Sequence, residues 1–351
     1  MSVSFIERLE NLPPEVWSKV ALIDQFKGQW ISGAKLNPQV LGRLKRSVLV
    51  TSTGASTRIE GARLSDEDVE KLMRGISVQK FADRDKQEVQ GYFELLQNVF
   101  EGWERTPFSG GSIKHFHKEL LKYVDKDKLH RGRYKKSENK VHMVDGAGKS
   151  VGILFDTTPA YLTDKEMLEL VEATREAFKQ KRFHPLLVIG NFVVEFLLIH
   201  PFQDGNGRLS RVLTNLLLLQ YGYEYTPYVS HEKLVEDNKA DYYMALRKSQ
   251  KTLRSKKPDL SPWLEFFLTI VQKQAALAIE LLSAENVEKI LSPKQIAVWE
   301  YLKTVPEASP GEISKKAKVA RPTVNQALDR LLRLKKVERI GMGRATRYRK
   351  A

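Results

Sequence analysis

The chain has 351 residues, 42% of them hydrophobic and 29% charged, which excludes a disordered polymer and predicts two or three domains with ample core. It has no cysteine, which excludes disulfides and cysteine-ligated zinc and fits a reducing, cytoplasmic setting. The net charge of +15 calls for an anionic partner, and it is unevenly spread: residues 291–351 hold 15 Lys and Arg against 5 Asp and Glu, a net of +10.

The first residues, Met1 to Arg8, lack the basic-then-apolar pattern of a signal peptide. Pro13-Pro14 can open a helix, because proline is tolerated in a first turn. A short helix is predicted over Leu41–Val50. Ser52 to Gly61 follows, and Ser56 and Glu60, four apart, share one face if it is helical. Residues 66–105 read as amphipathic helix, with Tyr92, Leu95, Leu96, Val99 and Phe100 as the buried stripe. Pro107 to Gly111 is a loop, and Ser112 to Val124 a helix with Ile113, Phe116, Leu120 and Leu121 inside. His115 and His117, two apart, cannot share a face, so they predict packed or surface rings rather than a metal pair.

Lys140 to Pro159 holds two β-prone runs around Asp145-Gly146, a hairpin signal. Gly148-Lys149-Ser150 is not a phosphate-binding P-loop, since Met143 stands where its first glycine belongs and a strand-like run follows. Asp164–Lys179 is helical. Leu186–Ile199 is almost wholly apolar, a buried helix too short and too interrupted (Gly190, Asn191, Glu195) to span a bilayer, so no membrane partner is expected.

That helix delivers the loop His200-Pro201-Phe202-Gln203-Asp204-Gly205-Asn206-Gly207-Arg208-Leu209-Ser210-Arg211, and an apolar helix, Val212–Leu219, follows. A helix start offers unpaired N–H groups and a partial positive charge that suit phosphate. Gly205 and Gly207 let an anion approach the backbone. Arg208 and Arg211 lie three apart and can clamp one polyphosphate. Asp204 is an oxygen ligand suited to Mg²⁺. His200 titrates near neutrality and can take a proton from a hydroxyl. The set points to transfer from a nucleoside triphosphate to a hydroxyl. Beyond it, Gly222 caps the second core helix, and helices are predicted over His231–Lys251 and Pro262–Leu282.

The tail differs. Helices are predicted over Ser292–Lys303, Ile313–Lys318 and Arg321–Leu334, the last with Val324, Ala327, Leu328, Leu331 and Leu332 inside. Val337–Ile340, Gly341-Met342-Gly343 and Thr346–Arg349 then read as a two-stranded wing.

His-Pro-Phe-x-Asp-Gly-Asn-Gly-Arg-x-x-Arg resembles the signature of Fic-domain proteins at every fixed position, and the resemblance spans roughly residues 50–270. It implies a mainly α fold, a Fic-type helical bundle with a β-hairpin flap. The implied activity is a protein adenylyltransferase moving AMP from ATP to a Ser, Thr or Tyr hydroxyl, including the chain's own. His200 would be the base, Asp204 would hold Mg²⁺ (or Mn²⁺), and Asn206, Arg208 and the Gly205 and Gly207 amides would bind phosphate. Arg211 would hold the γ-phosphate. Ser56-x-x-x-Glu60-Gly61 resembles the family's inhibitory motif, with Glu60 set to pair with Arg211. The flap edge Ile153-Leu154-Phe155-Asp156 would dock the target by strand addition, with the register open by a residue or two because Thr157-Thr158-Pro159 follows where relatives often have two prolines. Tyr242 or Tyr243 would stack on adenine, and Gln250 would bond its edge.

The tail resembles a winged helix-turn-helix, which implies DNA contacts through Thr323, Asn325, Gln326 and Arg330, with Arg344, Arg347 and Arg349 on phosphates. The expected domains are 1–110 with the inhibitory helix at about 52–62, a catalytic core at 111–285, and the winged helix at 291–351. Alternatives are a nucleotide-sensing DNA-binding regulator, or a Fic transferase moving UMP, phosphate or phosphocholine. A homodimer stays open.

Overall fold

The computed structural model describes residues 5–33, 38–75, 83–144, 150–290, 292–333, 336–341 and 346–351. The predicted Asp145-Gly146 turn and Arg344 lie outside them. The protein is mainly helical and falls into two compact units, residues 1–279 and 280–351.

In the first unit, α1 (Pro14–Gly33) opens on proline and buries Val16, Val20, Ile23 and Trp30, a 3.6-residue stripe. The next helix, α2 (Pro38–Ile59), runs unbroken, so the predicted short helix and the Ser52–Gly61 segment form one element. It closes where Gly61 takes φ +105°. Residues 66–105 form two helices rather than one, α3 (Asp66–Met73) and α4 (Asp83–Gly102), and α3 ends as Gly75 turns left-handed at φ +74°. Ser65 caps α3 through a capping box with Asp68. Ser109 accepts the Ser112 N–H (3.1 Å), which starts α5 (Gly110–Leu120) two residues earlier than the apolar pattern suggests.

The strands β1 (Lys140–Val144) and β2 (Ser150–Asp156) pair antiparallel, Lys140 opposite Asp156 and His142 opposite Ile153. The register shifts between Val141 and His142 and again between Met143 and Val144, so Leu154 and Val151 are extra residues on β2. Next come α6 (Ala160–Gln180), α7 (Pro185–Ile199) and α8 (Asn206–Gln220). In α7 every residue except Pro185 and Glu195 is buried, which places it at the centre of this unit. The stretch expected to be a single helix from His231 is broken: α9 (His231–Asp237) and α10 (Lys239–Leu253) meet at Asn238, whose side chain donates to the Leu234 carbonyl at 2.8 Å. An asparagine that satisfies the freed carbonyl of one helix while starting the next is a local stop that hydrophobic periodicity does not show. The long α11 (Ser261–Ile290) follows. Among the described residues no helix is long and apolar enough to cross a membrane.

The second unit contains α12 (Pro293–Lys303), α13 (Pro310–Lys316), α14 (Arg321–Arg333) and the antiparallel pair β3 (Val337–Ile340) and β4 (Arg347–Lys350). Ser292 with Gln295 and Ser309 with Glu312 form capping boxes, each followed by a proline at the first helical position. Its core gathers Val298, Trp299, Leu302, Ile313, Leu328 and Tyr348. Ala308 pairs with Tyr348 through two 2.9 Å backbone bonds and ties the α12–α13 connection to β4.

Candidate functional site

The loop from His200 to Gly205 joins the end of α7 to the start of α8. His200 caps α7 in the left-handed region (φ 52°), and its N–H donates to the Phe196 carbonyl at 2.9 Å. Gly205 caps α8, also left-handed (φ 80°). The first i→i−4 bond of α8 runs from Leu209 to Gly205, so the amides of Asn206, Gly207 and Arg208 precede it and point out of the helix start.

The His200 Nδ1 lies 3.2 Å from the Leu197 carbonyl. A carbonyl can only accept, so Nδ1 carries the proton and the lone pair sits on Nε2. Burial pushes the imidazole down to about 4, against the opposing pull of the Leu197 carbonyl, and Lys135 adds to the lowering. The ring is therefore neutral through the physiological range, not titrating near neutrality as its residue type suggests.

Asn206 turns inward. Its Oδ1 accepts the Phe202 N–H at 2.9 Å and its Nδ2 donates to the Phe202 carbonyl at 2.7 Å, so the carboxamide locks the loop and only the Asn206 backbone faces outward as an anion donor. Under the loop, the His117 ring stacks on Phe202 (3.8 Å between centroids, 9° between planes). Its Nδ1 accepts the Gly132 N–H at 2.9 Å, so Nε2 is the protonated nitrogen and donates to the Asp204 carbonyl at 3.0 Å. Burial holds this ring too down to about 4.

Asp204 faces guanidiniums on two sides. Its Oδ2 takes Arg84 at 2.7 Å and both oxygens take Arg208 at 3.2 Å, while Oδ1 also accepts the Gly205 N–H at 2.6 Å. Burial would raise its carboxyl, but Arg208, the Gly205 amide and Arg84 outweigh that and hold it below the usual range. Arg208 is 2% exposed and also reaches Glu88 at 2.7 Å.

Arg211, equally buried, donates from Nε to the Ser56 hydroxyl (2.8 Å) and from Nη2 to the Ser56 carbonyl (2.9 Å) and Glu60 Oε1 (2.8 Å). Burial opposes its charge, and Glu60 more than restores it, so its pKa is raised. A Cβ on Gly207 would lie 2.2 Å from Glu60 Oε1, so the carboxylate rests on the bare start of α8. Ser56, Glu60, Gly207 and Arg211 thus form one cluster, and Asp204, Arg208, Arg84 and Glu88 another beside it.

Tyr242 and Tyr243 meet edge to face at 5.1 Å, and Tyr242 also packs on Trp263 at 5.9 Å. Tyr242 is 5% exposed and lines a small enclosed cavity with Arg211, Thr214, His231 and Trp263. Gln250 donates to the Val194 carbonyl at 3.4 Å. The described backbone of Ile153 to Asp156 lies in β2. In the second unit, Asn325, Gln326 and Arg330 are exposed on α14 and Thr323 is half-buried. Arg347 pairs with Glu307 and Glu312, each at 3.5 Å, and Arg349 with Glu338 at 2.7 Å, so both arginines already face carboxylates.

Four site residues escaped the sequence: His117, Arg84, Lys135 and Asn139. His117 had a signal, since it falls on the α5 stripe with Ile113, Phe116 and Leu120. Lys135 and Asn139 reach the loop from more than sixty positions away, and Arg84 reaches Asp204 from 120.

His117 and His231 are buried with pKa values lowered to about 4 from an ordinary 6.5. The fold therefore favours the neutral rings, and their contribution to stability is complete above about pH 6.5 and lost as pH falls through about 4. The thermal midpoint should be level from pH 7 to 8 and drop between pH 6.5 and 4, with a shallower drop for His117→Gln. Equal slopes for the wild type and this variant would show that His117 is not held neutral by the fold.

With this geometry in view, residues 107–218 match the family model described as Fic/DOC family. The chain is 39% identical over 64 residues to a Fido domain-containing protein of Dictyostelium discoideum, covering 18% of this chain and 45% of that protein. It is 33% identical over 113 residues to the protein adenylyltransferase Fic of Aedes aegypti, covering 32% of this chain and 19% of that protein. The chain thus spans less than half the length of these curated relatives. Its fold is similar to a Fic family protein from Desulfovibrio desulfuricans G20 (TM-score 0.63, 23% identity, 97% of each chain). It is also similar to a Fic domain-containing signaling protein from Bacteroides thetaiotaomicron (TM-score 0.63, 20% identity, 75% of this chain and 97% of that one). Over residues 107–218 the chain is thus similar to the Fic/DOC family, and its fold is similar to that of Fic-domain structures.

Proposed function

We propose that the protein is an autoinhibited adenylyltransferase that moves AMP from ATP to a protein hydroxyl. The observation that carries this reading is the loop itself: a neutral imidazole with its lone pair on Nε2, at the edge of a helix start whose amides and Arg211 form an anion cradle. The hydroxyl oxygen attacks the α-phosphorus, the bond to the β-bridging oxygen breaks, pyrophosphate leaves, and His200 Nε2 takes the hydroxyl proton. The amides of Asn206, Gly207 and Arg208 stabilise the charge that builds on the phosphate oxygens. Tyr242, Tyr243 and Gln250 flank the adenine side, and the β2 edge from Ile153 to Asp156 holds the target chain by strand addition.

A divalent cation fits this site in one way. Among the described residues no three His, Asp or Glu side chains gather as a cage, and Asp204 is a single ionised carboxylate beside the cradle. That suits Mg²⁺ carried largely by nucleotide phosphates; when bound, the ion would supply positive charge against them. Asp204 would hold it after exchanging an arginine partner.

The test uses the Glu60→Gly chain with ATP labelled at the α-phosphate and a cell lysate. Protein-bound label supports the reading. Label that stays on nucleotide, with transfer seen only from UTP, the γ-phosphate or a choline donor, would assign another Fic-type transfer.

A second reading concerns the C-terminal unit, where the exposed polar face of α14 and a net charge of +10 over residues 291–351 support a winged helix. We propose that it binds duplex DNA through Thr323, Asn325, Gln326 and Arg330, with weaker help from the paired Arg347 and Arg349. For about three phosphate contacts, raising salt from ~50 to ~200 mM should weaken binding about 40-fold. Titrating the intact chain with labelled duplex at both salts checks this, and no binding at the lower salt would leave a protein-interaction surface.

A further inference from the structure

Four consecutive carbonyls at the end of α7 are each bound by one of two residues from the segment just before β1. Lys135 Nζ donates to the Ile199 carbonyl (3.1 Å) and the Lys135 N–H to the Pro201 carbonyl (2.8 Å). Asn139 Nδ2 donates to the His200 carbonyl (3.2 Å) and the Phe202 carbonyl (2.8 Å). Those carbonyls fall where a helix has run out of its own donors, and a cation there also meets the negative end of the helix dipole.

The same two residues also hold the roots of the hairpin. The buried Lys135 ammonium sends its other protons to Asn139 Oδ1 (2.7 Å) and Thr157 Oγ1 (2.9 Å), so its three donors meet three acceptors. Thr157 follows β2 directly, and Asn139 precedes β1 directly. The network therefore joins both roots of the hairpin to the residue that carries the imidazole. His200 needs such support: a non-glycine residue at φ 52° is strained, and it persists only where its surroundings over-determine it.

We infer that Lys135 and Asn139 are positioning residues for the transfer reaction, clamping His200 in its left-handed conformation and tying its place to the roots of the β1–β2 hairpin. This rests on the transferase reading above. Neither residue is placed to touch substrate; Asn139 acts through the His200 carbonyl and Lys135 through the carbonyls on either side of it. A target strand seated on β2 would then be in register with the base that serves it.

The experiment compares Lys135→Met and Asn139→Asp in the Glu60→Gly chain. Methionine leaves no unpaired charge, and aspartate keeps the acceptor for Lys135 while losing both donors to the loop. The clamp predicts kcat lower by about tenfold to a hundredfold at an unchanged KM for ATP, the cost of a misplaced base rather than a lost nucleotide site. It also predicts a shift of the His200 Cα resonance away from its left-handed value. A kcat within twofold of the parent, or a loss confined to KM, would overturn it. If the Glu60→Gly parent transfers nothing, the transferase reading fails, and the His200 resonances alone decide the clamp: unchanged in both variants, it is wrong.

Discussion

Replacing His200 with alanine should reduce adenylyl transfer by on the order of 10²–10⁴ while leaving ATP affinity within a few fold, the usual cost of losing a general base. The imidazole faces the acceptor hydroxyl in the proposed reaction and contributes nothing to the anion cradle, which is built from α8 amides and arginines. Its Nδ1–H is spent on Leu197, so Nε2 is the atom that receives the proton. Because burial lowers the ring to about 4, the neutral form persists across the physiological range. The rate of the Glu60→Gly chain should then stay level from about pH 8 down to about pH 5 and fall as pH drops through about 4. Transfer by His200→Ala within threefold of its parent, or an acid limb centred near 6.5, would remove His200 from the base role.

Much of this site is legible in the sequence because it is local. Histidine, aspartate, two glycines and two arginines lie within twelve residues, between two apolar runs that could only be core helices. The orientation of each side chain is less local. Asn206 reads as a ligand-facing carboxamide, yet both its polar atoms close the loop on Phe202. Asp204 reads as a free metal ligand, yet Arg84, 120 positions away, reaches it at 2.7 Å. Nothing in a linear pattern announces such a pair, since one charged residue on an exposed helix face looks like another. Helix ends show the same divide. Ser65 and Ser309 announce their capping boxes, whereas the α9–α10 break turns on one Asn238 side-chain bond inside a continuous amphipathic pattern. Charge in the tail was countable, but not that Arg347 and Arg349 spend theirs on Glu307, Glu312 and Glu338.

Glu60→Gly should raise AMP incorporation, into the chain itself and into its target, by about tenfold to a hundredfold, the equivalent of a charge-assisted bond worth roughly 1.5–3 kcal/mol. Glu60 Oε1 sits 2.8 Å from Arg211 Nη2 and over the bare backbone of Gly207. It therefore occupies two elements of the proposed cradle at once, a guanidinium and the space above a helix start. A triphosphate meeting that carboxylate loses one partner and gains like-charge repulsion, so its α-phosphate settles out of line with the hydroxyl. Removing the carboxylate deprives the buried Arg211 of its anionic partner, a cost moderated because Glu60 is about a third exposed and lies beyond the last turn of α2. Its negative charge at a helix C-terminus is also unfavourable to the dipole. The helix keeps its other anchors: Arg58 reaches Glu236 at 2.6 Å and Asp66 at 2.9 Å, and the Ser56 hydroxyl and carbonyl still accept from Arg211. Arg211→Ala placed on Glu60→Gly should cancel the gain, since both changes act through one guanidinium and cannot be additive. The rates of the wild type, both single variants and the double variant at saturating Mg-ATP decide the matter. Equal rates for wild type and Glu60→Gly would reduce Glu60 to an ordinary residue at the end of α2, and a double variant as fast as Glu60→Gly would separate Arg211 from the γ-phosphate.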